Sequence, residues 1–281
     1  MSKSVFVCPL CGKALERDGI VLRCEKGHCF DLSKHGYANL LMSQKSGEKR
    51  HGDDRLMARA RGEFLDSGWY DCLLDNLVLK VCGRAEKGSV IVDAGCGECF
   101  YTARINLALE ERGIAAAMCG IDISRDALIC ASKRKGVPML AVASAFDMPI
   151  ASNSADIVIN IFAPCAQAEF SRILKDDGLL IRAVPLERHL WGLKAMIYER
   201  PYENVVAPHV LEGFSLIEKQ ELRQTLHLSS PLDIERLFKM TPYYYKTSVA
   251  DQAKLALQAE LETEVEFCIL TYKKGEKHEK K

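Results

Sequence analysis

The sequence has no apolar run approaching the roughly 18 residues that a membrane span requires. Met1 to Val7 carries no hydrophobic stretch of the signal-peptide kind. A membrane protein and an exported protein are set aside, and the expected location is the cytoplasm. Net charge is also missing: 38 basic residues balance 38 acidic ones, so no global field advertises a polyanionic partner. The twelve cysteines lack the spacing of a disulfide framework. In a reducing compartment most of them read as small hydrophobic fillers, as in Val81-Cys82 and Met118-Cys119-Gly120-Ile121.

At 281 residues the chain exceeds one minimal domain and suits one large domain with an appendage. Charge is less even along the chain than in its sum. Residues 1–51 hold nine Lys or Arg against five acids, and residues 273–281 hold five lysines against two glutamates. Such surpluses can meet phosphates without a basic overall pI, although the lysine tail equally fits a solvated end.

The appendage shows itself in Cys8-Pro9-Leu10-Cys11-Gly12, followed by Cys24 and His28. Cys-x2-Cys-x12-Cys-x3-His supplies two short ligand pairs separated by a loop, which is what tetrahedral zinc needs. Gly12 lets the backbone turn behind the second sulfur, and metal would supply much of the folding energy of so small a segment. Spacing alone leaves Cys29 as a competing fourth ligand. Either set is closed to water, which makes the zinc structural. Ser43 to Asp54 is polar with two glycines and reads as a linker. Leu56, Ala60 and Phe64 then recur at helical spacing to about Asp66, before a turn at Ser67-Gly68.

From Ser89 onwards short apolar runs alternate with helical stretches, the pattern of a parallel sheet with crossover helices. Strands are expected at Val90–Val92, Ala117–Ile121, Met139–Val142, Ala155–Ile161 and Leu179–Val184, with two more at Phe214–Glu221 and Glu266–Tyr272. The first leads into Asp93-Ala94-Gly95-Cys96-Gly97-Glu98-Cys99-Phe100. A dinucleotide site would need a third glycine where Phe100 stands, and no P-loop lysine is present. What remains is a ligand with a small carboxylate and a nucleoside, which S-adenosylmethionine is. Gly95 and Gly97 let the backbone approach it closely. Asp122 closes the second strand and suits the ribose hydroxyls. Asp147, past the third strand, suits the adenine amino group, and Asp93 suits the methionine amino end. A strand-end aspartate often does no more than cap a helix; three around one glycine turn make the case.

Taken together, these motifs resemble the RlmA family of 23S ribosomal RNA guanine-N1 methyltransferases. The likeness runs over nearly the whole chain, through the zinc spacing, Asp31 to Leu41, Phe64 to Tyr70 and the glycine turn. It continues in Ile161-Phe162-Ala163-Pro164-Cys165, Arg188-His189-Leu190 and Met240-Thr241-Pro242-Tyr243. The resemblance implies an α/β fold, a Rossmann-like class I methyltransferase with a mostly parallel seven-stranded sheet and an antiparallel last strand, behind a small zinc-binding domain. The expected division is 1–42 for a zinc module that recognises RNA, 43–68 for a linker and connecting helix, and 69–281 for the methyltransferase domain. It places zinc on Cys8, Cys11, Cys24 and His28, and further cofactor contacts on Tyr70, on Cys99 and Phe100, and on His189. It also implies methylation in a domain II hairpin of 23S ribosomal RNA by a homodimer. There is one departure, since Cys99 stands where the family pattern has a third glycine. A positive φ there costs about 1 kcal/mol.

Guanine N1 carries a proton on the Watson–Crick edge, so the base must be unpaired or extruded and the proton must find an acceptor. Candidate catalytic residues are Asn160, Cys165 and His189. Asn160 suits either the base edge or a buried structural bond. A covalent role for Cys165 is disfavoured, because deprotonated N1 is itself a nucleophile. His189 fits a cofactor contact, a proton acceptor or a helix cap. Phe162 and Pro164 offer a rigid surface to the guanine ring. Two rival readings are a small-molecule methyltransferase, opposed by the zinc lobe, and a non-catalytic RNA-binding scaffold, opposed by the three aspartates.

Overall fold

The computed structural model describes residues 2–42 and 52–275. Most of the expected linker and most of the lysine tail lie outside these residues. Four short strands, β1 (Ser2–Val7), β2 (Ala14–Asp18), β3 (Val21–Cys24) and β4 (Cys29–Asp31), form an antiparallel sheet in that order. Gly19-Ile20 turns β2 into β3 through a two-residue loop, with Gly19 at φ +62°. Alternation then puts Leu15 and Leu22 on one face, and both are completely buried.

That face does not end at the module. Phe6 bridges Ile150, and the Val7 N–H donates to the Pro149 carbonyl at 2.8 Å. Phe6, Leu15 and Leu22 share one apolar cluster with Ala38, Val92, Ile121, Met148 and Ile150 of the main body. Each such side chain, fully buried, contributes roughly 1.5–3 kcal/mol. Next, β5 (Tyr37–Asn39) leaves the small sheet and pairs in parallel with β8 (Met139–Val142).

The main sheet also contains β6 (Val90–Ala94), β7 (Ala117–Asp122), β9 (Ala155–Ile161), β10 (Leu174–Pro185), β11 (Phe214–Leu228) and β12 (Leu261–Lys274). Its order is β11-β12-β10-β9-β6-β7-β8-β5. All neighbours are parallel except β10 with β12 and β11 with β12. The seven expected strands are present, the antiparallel one among them, and β5 adds an eighth. Both faces are covered: Ile91, Ile157 and Ile181 face one apolar cluster, while Val92, Val158 and Leu180 face the other. This explains why the strands are near-continuous apolar runs.

Helices α1 (Arg55–Asp66), α2 (Asp71–Cys82), α3 (Phe100–Glu111) and α4 (Arg125–Ala131) surround the first half of the sheet. Helices α5 (Gln167–Ile173), α6 (Trp191–Ile197), α7 (Pro231–Lys239), α8 (Tyr243–Lys246) and α9 (Val249–Ala256) follow. In α1 the Asp54 side chain caps the Met57 N–H at 2.9 Å. The buried stripe of this helix is Met57, Ala60, Phe64 and Leu65; Leu56, expected inside, is 41% exposed. Glu63 bonds Arg59 at 2.7 Å and Arg236 of α7 at 3.1 Å, fastening α1 across the end of the sheet.

Candidate active site and zinc centre

In the N-terminal module the backbone brings four ligands together. The Gly12 N–H bonds the Cys8 carbonyl at 2.8 Å, and the Gly27 N–H bonds the Cys24 carbonyl at 2.9 Å, so each ligand pair sits on a tight turn. His28 Nδ1 lies 3.4 Å from both Cys8 Sγ and Cys24 Sγ, and Cys11 Sγ lies 3.7 Å from Cys24 Sγ. A tetrahedron with zinc–sulfur bonds of about 2.3 Å has ligand–ligand edges of roughly 3.7 Å, so the donor set fits zinc. All four ligand atoms fall within 4.8 Å of one another. Cys29 turns away: it is exposed, and its thiol reaches the Gly27 carbonyl.

At the carboxyl ends of β6, β7 and β9 the main body encloses a cavity of about 760 Å³, the size range of small-molecule sites. The glycine turn after β6 forms its floor. Gly95 has φ +92°, and a Cβ there would lie 2.4 Å from the Ala163 Cβ, so the turn and the segment after β9 meet in a way only glycine allows. Gly97, at φ +55°, donates its N–H to Asp122 Oδ2 at 2.8 Å. Cys99 adopts φ +61° as the N-cap of α3, so the strain anticipated from its missing glycine is present.

Asp93 is buried at the end of β6. Its Oδ2 accepts the Thr102 hydroxyl at 2.6 Å, and its Oδ1 has no partner among the described residues. Burial raises its pKa to about 7; the Thr102 bond opposes this, and the charges of Asp122 and Glu98 add to it. A nearby positive charge favours the ionised form of a buried carboxylate, so Asp93 suits a cationic ligand group. Asp122 also accepts the Ser124 N–H at 2.7 Å through Oδ1. Burial pushes its pKa up, while its two backbone bonds pull it down.

On the opposite wall, His189 Nδ1 accepts the Glu266 N–H at 3.2 Å. Burial, reinforced by the charge of Lys194, pushes its pKa down to about 3. The ring is therefore neutral with its proton on Nε2. Phe162, just past β9, stands in the left-handed region at φ +51° and is 44% exposed. Its ring lies nearly parallel to His189, 20° apart with centroids at 6.4 Å, and both rings rest against buried Phe267. Left-handed backbone under a bulky residue costs about 1–2 kcal/mol, and such strain collects at functional sites.

Of the residues expected from sequence, Tyr70, Asp93, Gly95, Gly97, Asp122 and His189 line the cavity. Others stand behind it. Cys99 and Phe100 are buried in the core, and Asp147 is exposed beyond the lining, where Ser144, Ala145 and Phe146 take its place. Cys165 is half-buried outside the lining. Asn160 spends its amide N–H groups on the carbonyls of Ala94 at 3.0 Å and Pro164 at 3.3 Å, while its oxygen accepts from Arg182 at 3.0 Å. It braces the site from below. Sequence reasoning gave no site role to one whole wall, formed by Met57, Arg61 and Leu65 of α1 with Lys246 and with Met240, Pro242 and Tyr243, which entered only through the family likeness. Arg61 ties that wall together, reaching Asp53 at 2.6 Å, Glu98 at 3.6 Å and the Met240 carbonyl at 3.4 Å.

A doubly wound sheet with strand-end acids about a glycine turn marks an S-adenosylmethionine-dependent methyltransferase, here joined to a structural zinc ribbon. Comparison with known families agrees: residues 6–49 match the zinc ribbon described as RlmA, N-terminal, and residues 92–182 match the methyltransferase domain. YxjB of Bacillus subtilis (strain 168), whose name assigns it as a 23S rRNA (guanine-N1)-methyltransferase, is 36% identical over 253 residues, covering 85% of this chain and 86% of that protein. The 23S rRNA (guanine(748)-N1)-methyltransferase of Streptomyces fradiae is 32% identical over 228 residues, 79% of each chain. The chain belongs to the family of 23S ribosomal RNA (guanine-N1)-methyltransferases.

Proposed function

We propose that this protein methylates guanine N1 in a domain II hairpin of 23S ribosomal RNA. The observation that carries this reading is the union, in one body, of a cofactor cavity with a zinc ribbon fused to the catalytic sheet. A small substrate needs a pocket and has no use for an added lobe. In this reading residues 1–42 recognise RNA, 43–68 connect, and 69–281 carry the chemistry. Two copies cooperating on one RNA in the cytoplasm complete the proposal. The pairing is carried over from the family resemblance.

S-adenosylmethionine supplies an electrophilic methyl group when bound. Tyr70, Asp93, Gly95, Gly97 and Asp122 would hold it, and the buried Cys99–Phe100 end of the turn would shape the site from behind, whereas Asp147 stands outside the lining. Phe162 and Pro164 present faces for an extruded guanine to stack on. Loss of the N1 proton spreads negative charge onto guanine O6. A neutral His189 with its proton on Nε2 is suited to donate there, stabilising charge as an oxyanion donor does. The same tautomer makes His189 a poor acceptor for the N1 proton, which would leave to water as the methyl passes from sulfur to nitrogen.

Transfer of labelled methyl from S-adenosylmethionine to unmethylated 23S ribosomal RNA, followed by primer extension, tests the proposal. N1 methylation blocks pairing, so a single stop at a domain II hairpin guanine is expected. Incorporation into small molecules only would overturn it.

A further inference from the structure

Lys194 of α6 is completely buried, a place that lysine almost never takes without a paired charge. Its ammonium donates to Asn204 Oδ1 at 2.7 Å and to the Tyr202 carbonyl at 3.0 Å, and both partners are uncharged. It also lies 4.8 Å from the centre of the Tyr202 ring and 5.6 Å from that of Tyr243, whose residue lines the cavity. Lys194 and Asn204 themselves stand outside the lining.

What the ammonium fixes is the sense of one amide. An ammonium only donates, so Asn204 turns its oxygen toward Lys194 and its NH2 group the other way. That group donates to the Leu186 carbonyl at 2.8 Å and to the His189 carbonyl at 3.4 Å, while the Asn204 backbone N–H donates to the Glu187 carbonyl at 2.8 Å. The turn 186–190 is therefore held from two sides. Its N–H groups at Leu186 and Leu190 reach the carbonyls of Glu266 and Glu264 on β12 at 3.0 and 2.7 Å, and that of Arg188 reaches the Glu266 side chain at 3.0 Å. Its carbonyls rest on Asn204. The turn ends on Leu190 at φ +59°, a left-handed conformation that persists only where the surroundings enforce it.

We propose that Lys194, acting through Asn204, is a positioning residue for methyl transfer: it holds the 186–190 turn so that His189 meets the target base in one orientation. The proposal rests on the reading of His189 as a hydrogen-bond donor to the guanine, and it extends that machinery to two residues behind the cavity wall.

Two variants of the full chain separate positioning from packing. Lys194→Met keeps the bulk of the side chain and removes its charge. Asn204→Asp still offers the ammonium an acceptor, now as an ion pair, and removes both NH2 donors to the turn. Each is compared with the unaltered protein by thermal melting, by hydrogen exchange across residues 186–190, and by the kinetics of methyl transfer to 23S ribosomal RNA, alone and combined with His189→Ala. Asn204→Asp is expected to melt close to the unaltered protein, to exchange faster at the turn, and to lose about tenfold in kcat with the KM for RNA little changed. Lys194→Met should show the same kinetic pattern, whatever its melting temperature. With His189 already removed, neither substitution should cost further activity, because the side chain they position is gone. Equal losses in both backgrounds, or full activity of Asn204→Asp, would overturn the proposal. Full activity of His189→Ala would overturn the role of His189, and failure of the unaltered chain to methylate RNA would overturn the reading of the reaction; the positioning role falls with either.

Discussion

The Gly97 N–H and Asp122 Oδ2 meet at 2.8 Å, so the carboxylate that closes β7 also fixes the glycine turn that opens α3. In the proposed site one residue thereby serves both the ligand and the loop. Asp122→Asn replaces one accepting oxygen with a donating amide, which faces either the Gly97 or the Ser124 N–H. S-adenosylmethionine affinity should fall at least tenfold, by the loss of a charge-assisted bond. Calorimetry reads this directly; an unchanged Kd would remove Asp122 from the site.

Asp93 gives the cofactor a pH dependence. Its folded pKa, raised to about 7, lies above its unfolded value near 4. The free protein therefore binds more protons than the unfolded chain between those values, and its stability falls as pH rises from about 4 to about 7. Binding of an ammonium runs the other way, since it needs the ionised carboxylate. Cofactor affinity should weaken by close to tenfold per pH unit below about 7 and level off above it. Asp93→Asn should bind weakly at every pH, with that slope abolished.

Cys99 carries a backbone conformation better suited to glycine. Cys99→Ala keeps the strain and loses the thiol's packing, whereas Cys99→Gly loses the packing but releases about 1 kcal/mol of strain. In urea unfolding the glycine variant should be the more stable of the two by about 1 kcal/mol, reversing the usual preference for alanine over glycine in helices. Alanine proving the more stable would mean that the turn carries no strain.

Phe162 sets stability against function. Phe162→Gly removes a ring that is 44% exposed and relaxes φ +51°, so the melting temperature should hold or rise. Methyl transfer to RNA should drop tenfold or more, with cofactor affinity unchanged. A variant that methylates normally would remove the ring from the substrate site.

Zinc should be separable by ligand. Cys24→Ser and His28→Ala are expected to lose bound metal and to destabilise the whole chain, because Cys24 shares a core with Val92 and Ile121. Cys29→Ser should retain one zinc per chain by elemental analysis. Metal loss from that variant instead would reassign the fourth ligand.

Much of this architecture is legible in the residues. Met139–Val142 and Ala155–Ile161 stand out as strands because both of their faces are buried and turns bound them. Asp93 and Asp122 are legible because they end such runs beside glycines. Tyr37–Asn39 escapes notice because three residues hold no alternation to recognise. Leu56 and Met57 occupy adjacent positions that fit helical spacing equally well, and only the packing of α1 separates them. The wall joining Arg61 to Met240 spans 179 residues, a pairing that no local pattern contains.

The insertion of β5 beside β8, with Phe6 locked against Ile150, also bears on which nucleotide is chosen. A lobe held by strand pairing and a common core cannot swing to suit its target. In the proposed reading, where this lobe recognises RNA, it would act as the fixed jaw of a caliper, gripping RNA at a set span from the point of methyl transfer. Among hairpin guanines of identical chemistry, selection would then become a matter of length, and a one-nucleotide insertion between grip and target should move the mark to a different base.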